Sequence, residues 1–345
     1  MTGRRARRTA TWIRYGVRLA IAGALVAAAF RLVVSQEQQG LAESLRAAWT
    51  TSVPEALFWM TLAWALLGVA LVVGTFRFRM LLLGAGFEIE WRTLLGANLV
   101  ATFLNTLLPG AVLGDVYRVW DTRRDAGSGA GPAGVVILER LLGLAALGSI
   151  ALLALPAVPL AAQDVRLAWL LAGLSSVFCL LPALVLHPGA NARLRALLRR
   201  FGRPWPFAAT AAERAVAAVA AVSERPAVIL RAFALSLAVQ ALPVVAVMLL
   251  AVPLDASVAW YWFPIVIPFV ALVSMLPVSV GGTGVREYFY VTLFGAVGMS
   301  SAAALVLSLT NLAISIVWAL IGVAALVLRR RGAPRASHGR ESSAA

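Results

Sequence analysis

The chain has 345 residues, 61% of them hydrophobic and 13% charged, with a formal net charge of +15 that is carried by arginine and no lysine. Average soluble domains are nearer half apolar and a quarter charged, so a water-soluble interior is excluded as the main architecture. The arginines flank apolar runs, which sets nucleic-acid binding aside in favour of membrane orientation and attraction to anionic lipid headgroups.

The segment 1–15 holds Arg4, Arg5, Arg7, Arg8 and Arg14 and no acid. It reads as a basic cytoplasmic N-terminus. The apolar stretch Leu19 to Phe30 follows, and Ala27-Ala28-Ala29 resembles a leader cleavage site. The reading adopted is a retained first helix over Gly16 to Val34, with Arg18 and Arg31 reaching toward the interfaces. Gln36 to Ser52 is a polar loop. Pro54 suits the first turn of a helix, and Glu55 to Thr75 is the second predicted span. Arg77, Arg79 and Arg92 then mark the cytoplasmic side.

Thr93 to Leu107 is apolar but covers only roughly 22 Å as a helix, short of a full crossing. Pro109 and Gly110 break it, and Asp115, Arg118, Asp121, Arg123 and Arg124 follow at once. A short apolar arm returning to a basic loop predicts a re-entrant hairpin. Irregular backbone at membrane depth is tolerated only when buried in protein or lining a water cavity.

Gly127 to Gly134 reads as a linker, and Val135 to Leu155 as the third span, with Glu139-Arg140 in its early turns. Pro156 to Asp164 is a nearly uncharged outer loop, and Leu167 to Leu186 the fourth span. The connection 187–225 is rich in arginine. Leu194, Leu197 and Leu198 share one helical face, as do Val216, Val219 and Val222, so two short helices on the cytoplasmic surface are predicted. Pro226 opens the fifth span, to about Ala251. Trp260 to Met275 and Val285 to Val297 are two short arms around a glycine break, a second hairpin entered from outside. The last span covers Ala302 to Leu328, stopped in the cytoplasm by Arg329, Arg330 and Arg331, and 332–345 is a disordered cytoplasmic tail.

The predicted fold is therefore all-α: a polytopic membrane protein with six full transmembrane helices and two re-entrant helical hairpins in an inverted repeat. The halves cover about 16–158 and 165–328. Hairpins whose two arms each crossed fully would leave the same connections on the same sides. Leu-Pro, four residues and Gly occur in both breaks, at Leu108-Pro109 to Gly114 and Leu276-Pro277 to Gly282. Transporters of several folds place substrate where such breaks meet near the bilayer midplane.

The candidate chemistry sits at these breaks. Gly281, Gly282 and Gly284 permit a tight turn with exposed backbone N–H groups ahead of a helix start, a seat for a phosphate oxygen. Arg286 could clamp the same group bidentately, and Glu287 could hold Arg286 or meet an amine. The plainer alternative is a bend with a structural ion pair. In the first hairpin, Asp115 could cap the helix that carries Arg118, a second phosphate candidate, or the two could pair at an interface. Asn105 could satisfy freed backbone groups or touch a ligand. Glu139 and Arg140 lie inside a span, where ionisable groups point inward to partners or a wet path. Gln240, Thr310 and Asn311 suit helix–helix hydrogen bonds. Cys179 lies in an apolar run, and His187 and His338 lie far apart, so no metal-ligand spacing arises.

Three motifs carry a resemblance. They are Asn-x-x-Leu-Pro-Gly-x-x-x-Gly-Asp-x-x-Arg at Asn105 to Arg118, Glu-Arg-x-x-Gly at Glu139 to Gly143, and Pro-x-x-x-Gly-Gly-x-Gly-x-Arg-Glu at Pro277 to Glu287. With them the chain resembles the membrane domain of lysylphosphatidylglycerol synthases, the flippase-like family, from about Arg14 to Arg331. The resemblance implies a bacterial or archaeal inner-membrane protein that moves a lipid between leaflets. The soluble aminoacyl transferase domain of the full synthases is not expected here. Where the family often has a glycine pair, this chain has Leu113-Gly114.

The expected function is passage of an anionic or zwitterionic lipid headgroup, with Arg118, Arg140 and Arg286 receiving phosphate and Asp115, Glu139 and Glu287 orienting them. The expected partners are membrane lipids, with no nucleic acid, cofactor or metal. A second reading is a non-transporting subunit that anchors or regulates a lipid- or glycan-modifying enzyme through the basic loop. A third is an intramembrane transferase with Glu139 or Asp115 as base.

Overall fold

The computed structural model describes residues 51–107, 112–159, 165–186, 189, 206–254, 258–275 and 284–332. Every regular element among them is helical. The predicted first helix, the basic N-terminus, the C-terminal tail and both hairpin tips lie outside the described residues. Pro109, Gly110, Gly281 and Gly282 fall there too.

Helix α1 (Val53–Gly84) starts with Pro54 in its first turn, where a missing N–H costs nothing. The sequence reading closed this span at Thr75, before Arg77 and Arg79. The helix instead continues to Gly84, and Arg77 is buried within it. Arginine is a good helix former, and Arg77 finds partners in the bundle, so nothing there ends the helix. Next come α2 (Trp91–Leu107), α3 (Leu113–Thr122) and α4 (Ala130–Ala154), the last closed by a 3-10 turn over Leu155–Ala157.

The predicted linker Gly127 to Gly134 is largely helical. Two of its glycines serve close packing: a Cβ on Gly131 would lie 2.2 Å from the Phe87 ring, and one on Gly134 2.2 Å from the carbonyl oxygen of Ala215. That oxygen belongs to α6 (Pro206–Ser223), which follows α5 (Val165–Leu186) and packs against α4. The predicted Val219 and Val222 face of α6 is buried, in an apolar cluster with Phe78, Leu81 and Leu138.

Helix α7 (Pro226–Ala251) matches its predicted bounds and carries Pro243 inside. A 3-10 turn at Trp260–Trp262 leads into α8 (Phe263–Ser274). After the second tip come the short α9 (Val285–Phe289) and a π-helical turn at Tyr290–Phe294. Helix α10 (Ser301–Gly332) ends the described chain.

Among the described residues four helical stretches are long and apolar enough to cross a bilayer: Val53–Gly84, Ala130–Ala157, Pro226–Ala251 and Ser301–Val327. Large apolar side chains stay exposed along them, including Phe58, Val72, Ile137, Leu153, Leu230 and Leu320. In water such a belt would be an aggregation liability; in lipid it is the ordinary outer surface.

The helix contacts repeat between the two halves. Helix α1 packs on α7, α2 on α10 and α8 on α4. Within the halves, α2 meets α3 as α8 meets α9, and α1 meets α4 as α7 meets α10. Exchanging α1 to α4 with α7 to α10 carries the α1–α7 contact onto itself and each of the others onto its counterpart. The α2–α10 seam is tight: a Cβ on Gly322 would stand 2.1 Å from the carbonyl oxygen of Leu99.

Candidate functional site

The site starts where α3 is pinned to α2. Gly114 donates its N–H to Asn105 Oδ1 at 2.9 Å. A Cβ at Gly114 would sit 2.6 Å from the carbonyl oxygen of Ala101, so only glycine allows this approach. The neighbouring Leu113 is exposed and takes no part in it. Asn105 thus has the backbone-satisfying role that was one of its two readings.

Asp115 does not cap α3; of its two readings the geometry matches the ion pair. The N-cap residue is Val112, with no side-chain cap, and Asp115 sits in the first helical turn. Its carboxylate turns to α4 instead, where Arg140 Nε donates to Oδ2. Its Oδ1 lies 3.7 Å from Arg118 Nη1. The α3–α4 contact brings these groups together, and a nearby guanidinium outcompetes a backbone N–H for a carboxylate.

Glu139 is the centre of the network. Its Oε2 accepts from Arg118 Nη2 at 2.5 Å, and its Oε1 from Arg77 Nη2 at 2.8 Å. Arg77 also donates from Nη1 to Ser236 Oγ of α7 at 2.8 Å. The Arg118 guanidinium lies over the Phe78 ring, 3.9 Å from its centroid. Glu139 is 4% exposed, and Arg77 and Arg118 8% each, so the charges are out of bulk water. A buried pair of this kind holds only with close geometry and further hydrogen bonds. Gly143, one turn beyond Glu139, makes room: a Cβ there would lie 3.3 Å from Gln240 Nε2, which donates to the Gly143 carbonyl at 3.3 Å. The Glu-Arg-x-x-Gly spacing is thus a charge with its clearance on the same helix face.

Two cavities flank this network. One of 390 Å³ is lined by Asn98, Thr102, Asn105 and Thr106 of α2, with Gln240 and Ser315 opposite. The other, of 190 Å³, is lined by Arg77, Arg140 and Met275, the last described residue before the second tip. Asp115, Arg118, Glu139 and Gln240 line both, and so form the wall between them.

The second half holds a smaller counterpart. Gly284 adopts φ +86°, a left-handed conformation that suits glycine. Its N–H donates to Glu287 Oε2 at 2.5 Å, the back-reaching half of a capping box. Glu287 Oε1 accepts from Arg286 Nη2 at 2.6 Å, and Ser308 Oγ of α10 stands 3.5 Å from it. Arg286 is therefore held by Glu287, the structural reading of that pair. A shift of 168 residues carries Leu108-Pro109, Gly114 and Arg118 onto Leu276-Pro277, Gly282 and Arg286.

The structure brings together Asn105, Gly114, Asp115, Arg118, Glu139 and Arg140 in the first half, and Gly284, Arg286 and Glu287 in the second. Sequence reasoning missed Arg77, Ser236 and the polar line Asn98, Thr102, Thr106. The line had a signal: these positions and Asn105 recur at helical spacing within an apolar segment. Among the described residues no group of three or more His, Cys, Asp or Glu could hold a metal.

A buried, cavity-flanked charge network among helices long and apolar enough to span a bilayer marks a polytopic helical membrane protein. Residues 16–323 match the family described as the lysylphosphatidylglycerol synthase TM region, and the chain belongs to that family. It is a membrane domain associated with lipid modification or transport. The comparison with curated proteins gives no match.

Proposed function

We propose that the chain is a flippase-like transporter that passes an anionic or zwitterionic lipid headgroup across a bacterial inner membrane. It would do so with six full spans and two re-entrant hairpins, and with both termini in the cytoplasm. The mirrored helix contacts support the inverted repeat, and the arginine-rich connections support the orientation. The tails stay in lipid while the head crosses the polar interior.

The observation that carries this reading is the Arg118–Glu139 pair, buried and facing a cavity on each side. Both residues sit where a headgroup phosphate would pass, and Arg118 can exchange Glu139 for that phosphate. Arg77 keeps the carboxylate neutralised meanwhile. Arg286 offers a second phosphate contact, and Arg140 a third. The test is transbilayer transfer of labelled lipid in vesicles holding the purified chain. Arg118→Ala and Arg286→Ala are expected to abolish or strongly slow it; unchanged transfer in both overturns the assignment.

A second reading is a membrane subunit that docks a lipid- or glycan-modifying enzyme. A 790 Å³ groove between α3 and α6 favours it, with exposed Arg123 and Arg214 on its walls. Co-purification of such an enzyme, with no lipid movement by the chain alone, would establish it.

A further inference from the structure

We propose that the outer face of α3, with the groove between α3 and α6, is a docking site for an anionic phospholipid of the cytoplasmic leaflet. Its phosphate sits on Arg123 and Arg214, and an acyl chain lies along Trp120 and Val116. The site is separate from the Arg118–Glu139 network and stands whether or not the chain transports lipid.

The two faces of α3 differ in kind. Its inner face, with Gly114, Asp115, Arg118 and Thr122, is buried against the bundle. Val112, Val116 and Trp120 are exposed. Positions four apart share one helix face, so these three form an apolar stripe on the other side. The stripe ends at Arg123, whose guanidinium carbon lies 5.1 Å from the centroid of the Trp120 ring.

Beside the stripe is a gap. Helix α3 packs on α2 and α4, and α6 packs on α4. Between α3 and α6 runs the 790 Å³ groove, with Val116, Val119, Trp120 and Arg123 on one wall and Ala211 and Arg214 on the other. Both arginines are exposed. Among the described residues no acid lines the groove, so its walls carry two positive charges and call for an anion.

The order of these features selects a lipid. The charge is gathered at one end of the stripe, and the rest is apolar. Arg123 and Arg124 close α3, and Arg214 lies in the arginine-rich connection, so the charged end belongs at the cytoplasmic surface. Trp120 then sits at the boundary where aromatic side chains anchor. From Arg123 back to Val112 is roughly 16 Å along a helix, about the depth of one leaflet of a ~30 Å hydrocarbon core. An acidic protein segment would match the arginines and leave the stripe unused. A zwitterionic lipid would match the stripe and leave two guanidinium groups short of charge. Anionic lipids of the cytoplasmic leaflet are drawn to basic clusters at this level. A lipid seated here joins α3 to α6 and braces, from outside, the arm that carries Arg118.

The test photolabels the full chain in vesicles of equimolar phosphatidylglycerol and phosphatidylcholine, with a diazirine in the acyl chain of one lipid at a time. Labelled peptides are mapped by mass spectrometry. The stretch 169–177 of α5, with exposed Trp169, Leu170, Leu174 and Val177, reports contact with bulk lipid. The ratio of phosphatidylglycerol to phosphatidylcholine labelling is expected to be at least about tenfold higher on 112–122 than on 169–177, the scale of one charge-assisted hydrogen bond. Arg123→Ala with Arg214→Ala should bring it down to the α5 value. Arg92→Ala with Arg225→Ala removes the same charge at exposed sites outside the groove and should leave it unchanged. Thermal unfolding in detergent checks that both variants fold, and Arg214→Gln alone serves if the groove variant does not. Equal ratios on the two stretches mean bulk lipid only and overturn the site. A raised ratio that the groove variant leaves unchanged overturns the phosphate assignment and leaves the groove to the docked enzyme of the second reading. A stretch 112–122 labelled by neither lipid means that protein covers the stripe, and overturns the proposal as well. Transfer between leaflets is no part of this readout, so loss of the transport reading and loss of this site are told apart.

Discussion

Arg77 on α1 and Glu139 on α4 are joined by a 2.8 Å bond from Nη2 to Oε1, although 62 residues separate them in sequence. The same carboxylate takes Arg118 on its other oxygen. Three elements of the first half are thereby tied to one anion, and Ser236 draws α7 into the same knot.

The shared anion makes the partners unequal. Glu139→Leu leaves Arg77 with no carboxylate and Arg118 with only Asp115 at 3.7 Å, and is expected to cost about 3–5 kcal/mol. Arg77→Met leaves Glu139 its Arg118 partner and is expected to cost less, about 1–3 kcal/mol. Thermal unfolding of the detergent-solubilised protein ranks the two, and equal losses would contradict a shared carboxylate.

The bond from Gly114 N–H to Asn105 Oδ1 fixes where α3 meets α2. Asn105→Leu removes the acceptor and should speed hydrogen exchange at the Gly114 amide by about tenfold or more. Mass-spectrometric exchange on peptides covering 112–122 reads this directly. An unaltered rate would mean that the amide is protected by something else.

The sequence made the helices legible and left much of the site obscure. Pro226 and Ala251 bound α7 as expected, because proline at a helix start and the end of an apolar run are local signals. Glu139 inside a span was equally visible, since a charge among leucines has no local explanation. Arg77 was not. Two residues past the expected span end, it looked like an interfacial anchor, and only its tertiary partners distinguish the two cases. Asp115 was ambiguous for a related reason: its position suits a cap as well as an ion pair, and Arg140, which decides between them, lies on another helix. The stretch Gly127 to Gly134 misled differently. Glycine enrichment reads the same whether the chain must bend or two backbones must touch.

Backbone contact at the α2–α10 seam yields a stability test. Gly322→Ala would drive a methyl group into the Leu99 carbonyl, and the overpacking is expected to cost about 1–3 kcal/mol. Gly173→Ala in α5 meets nothing within 4 Å and should leave stability unchanged or slightly raised. The pair of melting curves checks the seam against its own control.

The proposed orientation is open to labelling. In a Cys179→Ser background, single cysteines at Asp125 and Glu224 are expected to react with an impermeant maleimide only from the cytoplasmic side. Cysteines at Val252 and Ser300 should react only from outside. Labelling of Asp125→Cys and Val252→Cys from one and the same side would refute six spans with two re-entrant hairpins.

The first arm of each break leans on a helix from the opposite half: α2 on α10, and α8 on α4. The two halves are thus cross-braced, each with a strut bedded in the other. Pulling them apart as whole blocks would strip Gly322 from Leu99 and α8 from α4 in a single stroke. Under the proposed transport reading, opening is expected to fall to the brief second arms α3 and α9 while the braced frame stands still.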